Sequence, residues 1–163
     1  VDDASSIKAA VQFVPDGEPL PEAPDQPMRG RPEGPTVRQY LAREAERATA
    51  ERIAHVLTRY RFTWDDEYEL QDAIAHVLAQ HVAPVEREVT LAPRCRIDIL
   101  VGRVGIEIKV KGSVETVARQ LQRYATTGRL DALVLATTRA THHTLPTELG
   151  GMPVTVVNLT HLA

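Results

Sequence analysis

Apolar residues fall at every second position on both sides of Gly102-Arg103: Ile97, Ile99 and Val101, then Val104, Ile106, Ile108 and Val110. That period belongs to a β-strand, so the segment reads as a hairpin with one apolar face. The opposite face carries Arg94, Arg96, Asp98, Glu107, Lys109 and Lys111. Gly at the first of two central positions fits a type II′ turn. This register sets Val101 across from Val104 and Asp98 across from Glu107. A four-residue turn would set Asp98 across from Lys109 instead, and a three-residue turn would move one strand's charges to the other face. No other stretch of the chain restricts its fold as much.

Directly opposed side chains stand roughly 4.5–5.5 Å apart at Cβ, where like charges repel. A chain that keeps Asp98 and Glu107 there has to compensate them. A hard dication, Mg²⁺ or Mn²⁺, does so through carboxylate oxygens. Arg96 and Lys109 can also neutralise them without an ion, as on any charged strand face exposed to solvent.

The elements around the hairpin follow from periodicity and caps. Residues 63–80 read as a helix, opened by Thr63 with Asp66 three residues on, and with Leu70, Ala73, Ile74, Val77 and Leu78 at helical spacing. Strands are expected over 85–91, 95–101 and 104–111. A helix follows over 113–126, with Ser113 as its cap, and further strands over 130–137 and 153–159. Gln120 and Tyr124, four apart, lie on one side of that helix. The expected class is α/β, in the mixed α+β sense, with a mixed sheet flanked by helices.

The run Asp98…Glu107-Ile108-Lys109, followed by Gln120-Leu121-Gln122-Arg123-Tyr124, resembles the PD-(D/E)xK nuclease superfamily in its RecB-like form. Ile97 stands where the family's leading proline is common. The resemblance covers roughly residues 63–159 and implies a restriction-endonuclease-like αβββαβ core. It further implies that Asp98, Glu107 and the Ile108 carbonyl hold Mg²⁺ or Mn²⁺, and that Lys109 serves the attacking water. A glutamate from the first core helix, Glu67 or Glu69, completes the metal shell, Glu69 looking more like the family pattern. Gln120 and Tyr124 position the phosphate or the lysine. The plain alternative is that Glu67 and Glu69 simply complement the helix N-terminus, that Tyr124 is a core aromatic and that Gln120 lies at the surface.

Lys111, Arg94, Arg96, Arg119 and Arg123 are expected to contact a nucleic-acid backbone, as a positive rim. His142 and His143 are adjacent and cannot share a face of a strand or helix, so they read as loop. Cys95, the only cysteine, reads as a small buried hydrophobe. A single cysteine allows no internal disulfide and suits a reducing cytoplasm. No apolar run is long enough for a membrane span, and no membrane partner is expected.

The net charge of −3 conceals an asymmetry: residues 1–36 carry −4, and residues 37–163 carry +1. Residues 15–35 are rich in Pro, Gly and acids and read as a linker, with a short strand or arm over 7–14. Thr36 opens a helix with Gln39 completing a capping box, and it runs to about residue 59. Tyr40, Leu41, Ala45, Ala48, Ile53, Val56 and Leu57 give it a partial apolar stripe. It would cover the core or make a dimer contact. The expected organisation is an extended segment 1–35, an accessory helix 36–61 and a core 62–163. The expected activity is metal-dependent cleavage of DNA in repair, recombination, phage replication or defence. A non-catalytic nucleic-acid-binding or adaptor module on the same fold is the alternative. A homodimer through the N-terminal segment and accessory helix, acting as a branched-DNA resolvase, is the second.

Overall fold

The computed structural model describes residues 36–82 and 84–160. The expected arm over 7–14, the linker over 15–35 and any dimer contact made by them lie outside the described residues. Helix α1 spans Val37–Thr58. Its cap is the expected reciprocal pair: the Gln39 N–H donates to Thr36 Oγ1 at 3.3 Å, and the Thr36 N–H to Gln39 Oε1 at 2.8 Å. Helix α2 spans Glu67–His81 and starts later than the Thr63 cap would place it. Asp66 is the N-cap, its Oδ1 accepting from the Glu69 N–H at 2.9 Å, while the Glu69 carboxylate accepts from the Asp65 N–H at 2.9 Å. Strands β1 (Glu86–Ala92), β2 (Cys95–Val101) and β3 (Val104–Lys109) follow, then helix α3 (Val114–Ala125) and strand β4 (Ala132–Thr137). A 3-10 turn at Ala140–Thr144 leads to β5 (Glu148–Leu149) and β6 (Met152–Asn158).

The strands form one six-stranded mixed sheet in the order β1-β2-β3-β4-β6-β5. β1, β2 and β3 are antiparallel neighbours, whereas β3–β4 and β4–β6 are parallel. All six residues of β4 are buried, as befits a parallel strand covered on both faces. One face packs against α1 and α2, through Ile53, Leu57, Leu70, Ile74 and Leu78 with Ile99, Ile106, Ile108 and Val134. The other packs against α3, through Val117, Leu121 and Tyr124 with Leu133 and Leu135. Burying each such Leu or Ile contributes about 1.5–3 kcal/mol, so the two layers supply most of the driving force.

The β2–β3 turn is the two-residue one. Val101 faces Val104, Leu100 faces Gly105 and Ile99 faces Ile106. Gly102 has φ +59°, and Arg103 is not among the described non-glycine residues with positive φ, as a type II′ turn requires. The expected alternation fails at one point. Ile99 and Val101 pack toward α1 and α2, but Ile97 packs with Cys95 and Leu100 on the α3 side. A regular strand would put Ile97 and Leu100 on opposite faces. Strand β1 is irregular alongside: Glu88 has φ +51°, and the β1–β2 register shifts between Thr90 and Ala92.

Helix α1 departs from expectation in one respect. Its C-terminal half, with Ala50, Ile53, Val56 and Leu57, packs into the core, in keeping with a helix that covers it, but the apolar stripe is not continuous. Val37, Tyr40 and Leu41 are exposed at 76%, 58% and 61%. At 100° per residue they point roughly away from the buried face. The single stripe expected from the sequence is therefore two stripes on different sides of the helix. No described helix is long and apolar enough to cross a membrane.

Candidate active site

Beyond the Ile99–Ile106 pair, β2 and β3 stop pairing. There the Asp98 carboxylate accepts the Ile108 N–H through Oδ2 at 2.8 Å. The side chain thus replaces the main-chain acceptor that a continuing ladder would supply. Along β3, Gly105, Glu107 and Lys109 alternate on the face toward α3, beside Leu133, Leu135 and Thr137 of β4. Gly105 is required by close approach: a Cβ there would stand 2.8 Å from Leu130 Cδ1 and 3.2 Å from Ile97 Cγ1.

Glu107 is 1% exposed and is the centre of the cluster. Its Oε1 accepts from Lys109 Nζ at 2.6 Å and from Gln120 Nε2 at 2.6 Å. Its Oε2 accepts from the Tyr124 hydroxyl at 2.9 Å. Gln120 also donates to the Tyr124 oxygen at 2.7 Å, and the Tyr124 hydroxyl lies 2.8 Å from the Arg96 carbonyl. Gln120 and Tyr124 share a helix face because they are one turn apart. Ser113 starts that helix by accepting the Thr116 N–H at 3.3 Å.

Glu67 arrives from the first turn of α2. Its Oε2 accepts the Val110 N–H at 3.2 Å, and its Oε1 stands 3.6 Å from Lys109 Nζ. The Lys109 ammonium therefore lies between two carboxylates. Glu69, expected as the better candidate, does not join them. Its carboxylate bonds the Asp65 N–H at the helix start, and it lines a separate cleft of about 500 Å³ with Tyr60, Asp72 and His76. Two positions along a helix are 200° apart, so only one of the two glutamates can face the cluster.

The electrostatics reflect burial. Burial and then the Asp98 charge push Glu107 up to about 7, against the pull of Lys109 and Tyr124. Burial, with Glu67 adding, also raises Asp98, although the Ile108 N–H, Lys109 and Arg96 oppose it. Burial works against the Lys109 charge, but Glu107, Glu67 and Asp98 outweigh it and hold the amine above its ordinary range. Tyr124 is raised by burial first and by Glu107 next, so it stays a hydroxyl donor. Three acids against one lysine leave excess negative charge in a poorly solvated place.

Asp98, Glu107, Lys109, Gln120 and Tyr124, but not Glu67, line a cleft of about 420 Å³ together with Arg94, Arg96 and Arg123. It is smaller than the Glu69 cleft, but it alone of the two gathers buried carboxylates with displaced pKa values. Arg96 also pairs with Glu88 at 3.4 Å. Lys111 and Arg119 are not among its lining: Lys111 is exposed, and the Arg119 guanidinium bonds the Glu115 carbonyl and Thr116 hydroxyl of its own helix. Cys95, buried as expected, touches the cleft floor. Ile108 is fully buried.

Among the described residues no group of three or more His, Cys, Asp or Glu stands at metal-binding spacing. A hard dication takes oxygen donors and can be held by one or two carboxylates with waters, and Asp98 and Glu107 are the carboxylates this cluster offers. Asp98 engages the protein through Oδ2 alone among the described hydrogen bonds, and Lys109 already occupies a cation's place between Glu107 and Glu67. Sequence reasoning missed His142, which is fully buried behind the end of β3, and Thr137, its partner. Their contacts reach 28 and 30 residues along the chain, and no local pattern signals them. Compared with family models, with curated proteins and with solved structures, the chain matches none.

Proposed function

We propose that this chain is a metal-dependent nuclease that hydrolyses phosphodiester bonds in DNA, built on a restriction-endonuclease-like αβββαβ core of the PD-(D/E)xK type. The observation that carries the reading is Glu107: a buried carboxylate held by Lys109, Gln120 and Tyr124, beside Asp98, at the floor of a cleft rimmed by arginines. Asp98 and Glu107 would hold Mg²⁺ or Mn²⁺, with the Ile108 carbonyl and Glu67 as further oxygen donors. Once bound, such an ion lowers the pKa of a coordinated water and neutralises charge on the phosphate. Tyr124 and Gln120 keep Glu107 oriented. Lys109, released from Glu107 in part, orients the attacking water and offers positive charge where negative charge develops. Arg94, Arg96 and Arg123 supply the backbone contacts.

Purified protein with Mn²⁺ is expected to nick or degrade DNA, and Lys109→Ala to abolish this with the fold intact by circular dichroism. Equal activity in the variant would refute the assignment.

One observation favours a non-catalytic adaptor instead. Lys109 already bridges Glu107 and Glu67, so the cluster is partly neutralised by the protein alone. Calorimetric titration with Mn²⁺ separates the two. A nuclease binds the ion and loses it in Asp98→Ala, whereas an adaptor shows no heat in either protein.

A further inference from the structure

The segment from Lys109 to Gly112 is a short strap that joins β3 to α3, and with it Lys109 to the helix that carries Gln120 and Tyr124. Its polar main-chain groups are tied at four points. The Val110 N–H goes to Glu67 at 3.2 Å. The Lys109 carbonyl accepts from the Thr138 N–H at 3.1 Å and lies 3.0 Å from the Thr137 hydroxyl. The Val110 carbonyl accepts from the Thr138 hydroxyl at 3.3 Å. The Gly112 carbonyl, at a residue with φ +111° that glycine alone adopts readily, lies 3.1 Å from His142 Nε2.

His142 is 0% exposed, and its other nitrogen, Nδ1, is 2.6 Å from the Thr137 hydroxyl. A carbonyl oxygen only accepts, so Nε2 carries a proton toward Gly112. In the neutral ring Nδ1 then accepts the Thr137 proton, while Thr137 Oγ1 itself accepts the Arg139 N–H at 3.1 Å. The hydroxyl has one proton for two acceptors, the ring and the Lys109 carbonyl. An imidazole enclosed in this way is costly unless both nitrogens are bonded. Gly112 lies in the strap, and Thr137 reaches the strap at Lys109.

We infer that His142 is a positioning residue: clamped to Gly112 and Thr137, it fixes the strap and so holds the Lys109 ammonium against Glu107. Its consequence for catalysis rests on the nuclease reading, but the clamp itself does not. His142→Leu removes both bonds, His142→Gln retains an N–H donor for Gly112, and Thr137→Val keeps shape while removing the hydroxyl.

Amide hydrogen exchange in the full chain reads the clamp directly. In His142→Leu the Val110 amide is expected to exchange about 10-fold faster or more, while Ile106 and Leu135 in the sheet keep their protection. DNA cleavage with Mn²⁺ is expected to lose roughly 10-fold to 100-fold in kcat with KM little changed. His142→Gln should recover most of both. A role in general stability alone would speed all three amides by one factor and spare kcat at temperatures where the protein is folded. That result, or an unchanged Val110 amide in folded His142→Leu, overturns the inference. Should His142→Leu not fold, Thr137→Val carries the same comparison. If the wild-type protein does not cut DNA, the nuclease reading falls and the exchange data alone decide the clamp.

Discussion

The Asp98 carboxylate and the Ile108 N–H are joined at 2.8 Å, at the point where β2 and β3 part. One bond does two things: it satisfies a main-chain donor left without a strand partner, and it pins an acid beside Glu107. Aspartate is suited to this because its short side chain reaches neighbouring main chain.

Asp98→Asn separates those two roles. The amide oxygen can still accept from Ile108, so the melting temperature should stay within a few degrees, equivalent to about 1 kcal/mol or less. The charge is gone, so Mn²⁺-dependent cleavage should fall by roughly 10²-fold or more. With its charged neighbour removed, Glu107 should titrate lower. Thermal melts, cleavage assays and carboxyl NMR titration check the three outcomes.

The raised Glu107 pKa makes the metal-free protein pH-dependent in a definite direction. With a folded value of about 7 against an ordinary 4.5, the folded state holds more protons across that window. Stability contributed by this group is therefore present in acid and is lost as pH rises from about 4.5 to 7, by about 3 kcal/mol in all. Urea melts should show the decline, and Glu107→Gln should flatten it. Saturating Mn²⁺ should restore stability at pH 8 more than at pH 5, because the ion prefers the ionised carboxylates.

The two glutamates at the start of α2 should behave differently. Glu67→Gln removes the charge beside Lys109 while its amide oxygen can still accept the Val110 N–H, and it should cut cleavage about 10-fold or more, since it withdraws charge from the ion's surroundings. Its effect on stability should be small, about 0.5 kcal/mol, because the ion pair is partly exposed. Glu69→Ala removes a helix-start contact, costs about 1 kcal/mol and should leave cleavage unchanged. Paired melts and rate assays distinguish them.

Gly105→Ala tests the packing under the site. The added methyl would meet Leu130, Ile97 and Leu133 within 3.3 Å. Overpacking of this kind costs about 1–3 kcal/mol. Denaturant melts should show the loss, and a neutral substitution would mean that the layer beneath Glu107 yields easily.

Much of this was legible in the chain itself, because some patterns are local. The alternation around Gly102-Arg103 sets the hairpin register. Thr36 with Gln39, and Ser113 ahead of Val114, mark helix starts through contacts three residues long. The four-residue spacing of Gln120 and Tyr124 places both on one side of α3, and the two-residue turn sets Val101 across from Val104, although the pairing stops before Asp98. Each rests on neighbours within a turn or across a two-residue loop, where backbone geometry leaves few choices.

Tertiary contacts decided the rest. Ile97 continues the alternation in sequence yet packs on the α3 side, whereas Ile99 packs toward α1 and α2. Glu67 and Glu69 carry the same group on the same turn; the Val110 N–H, 43 residues from Glu67, selects the first. The α1 stripe divides because only its C-terminal half meets the sheet. His142 reads as loop until β4 and the strap close around it. Side-chain periodicity reports which residues share a face, whereas which face is buried, and what a buried polar atom bonds to, depends on segments brought together only when the sheet and helices pack.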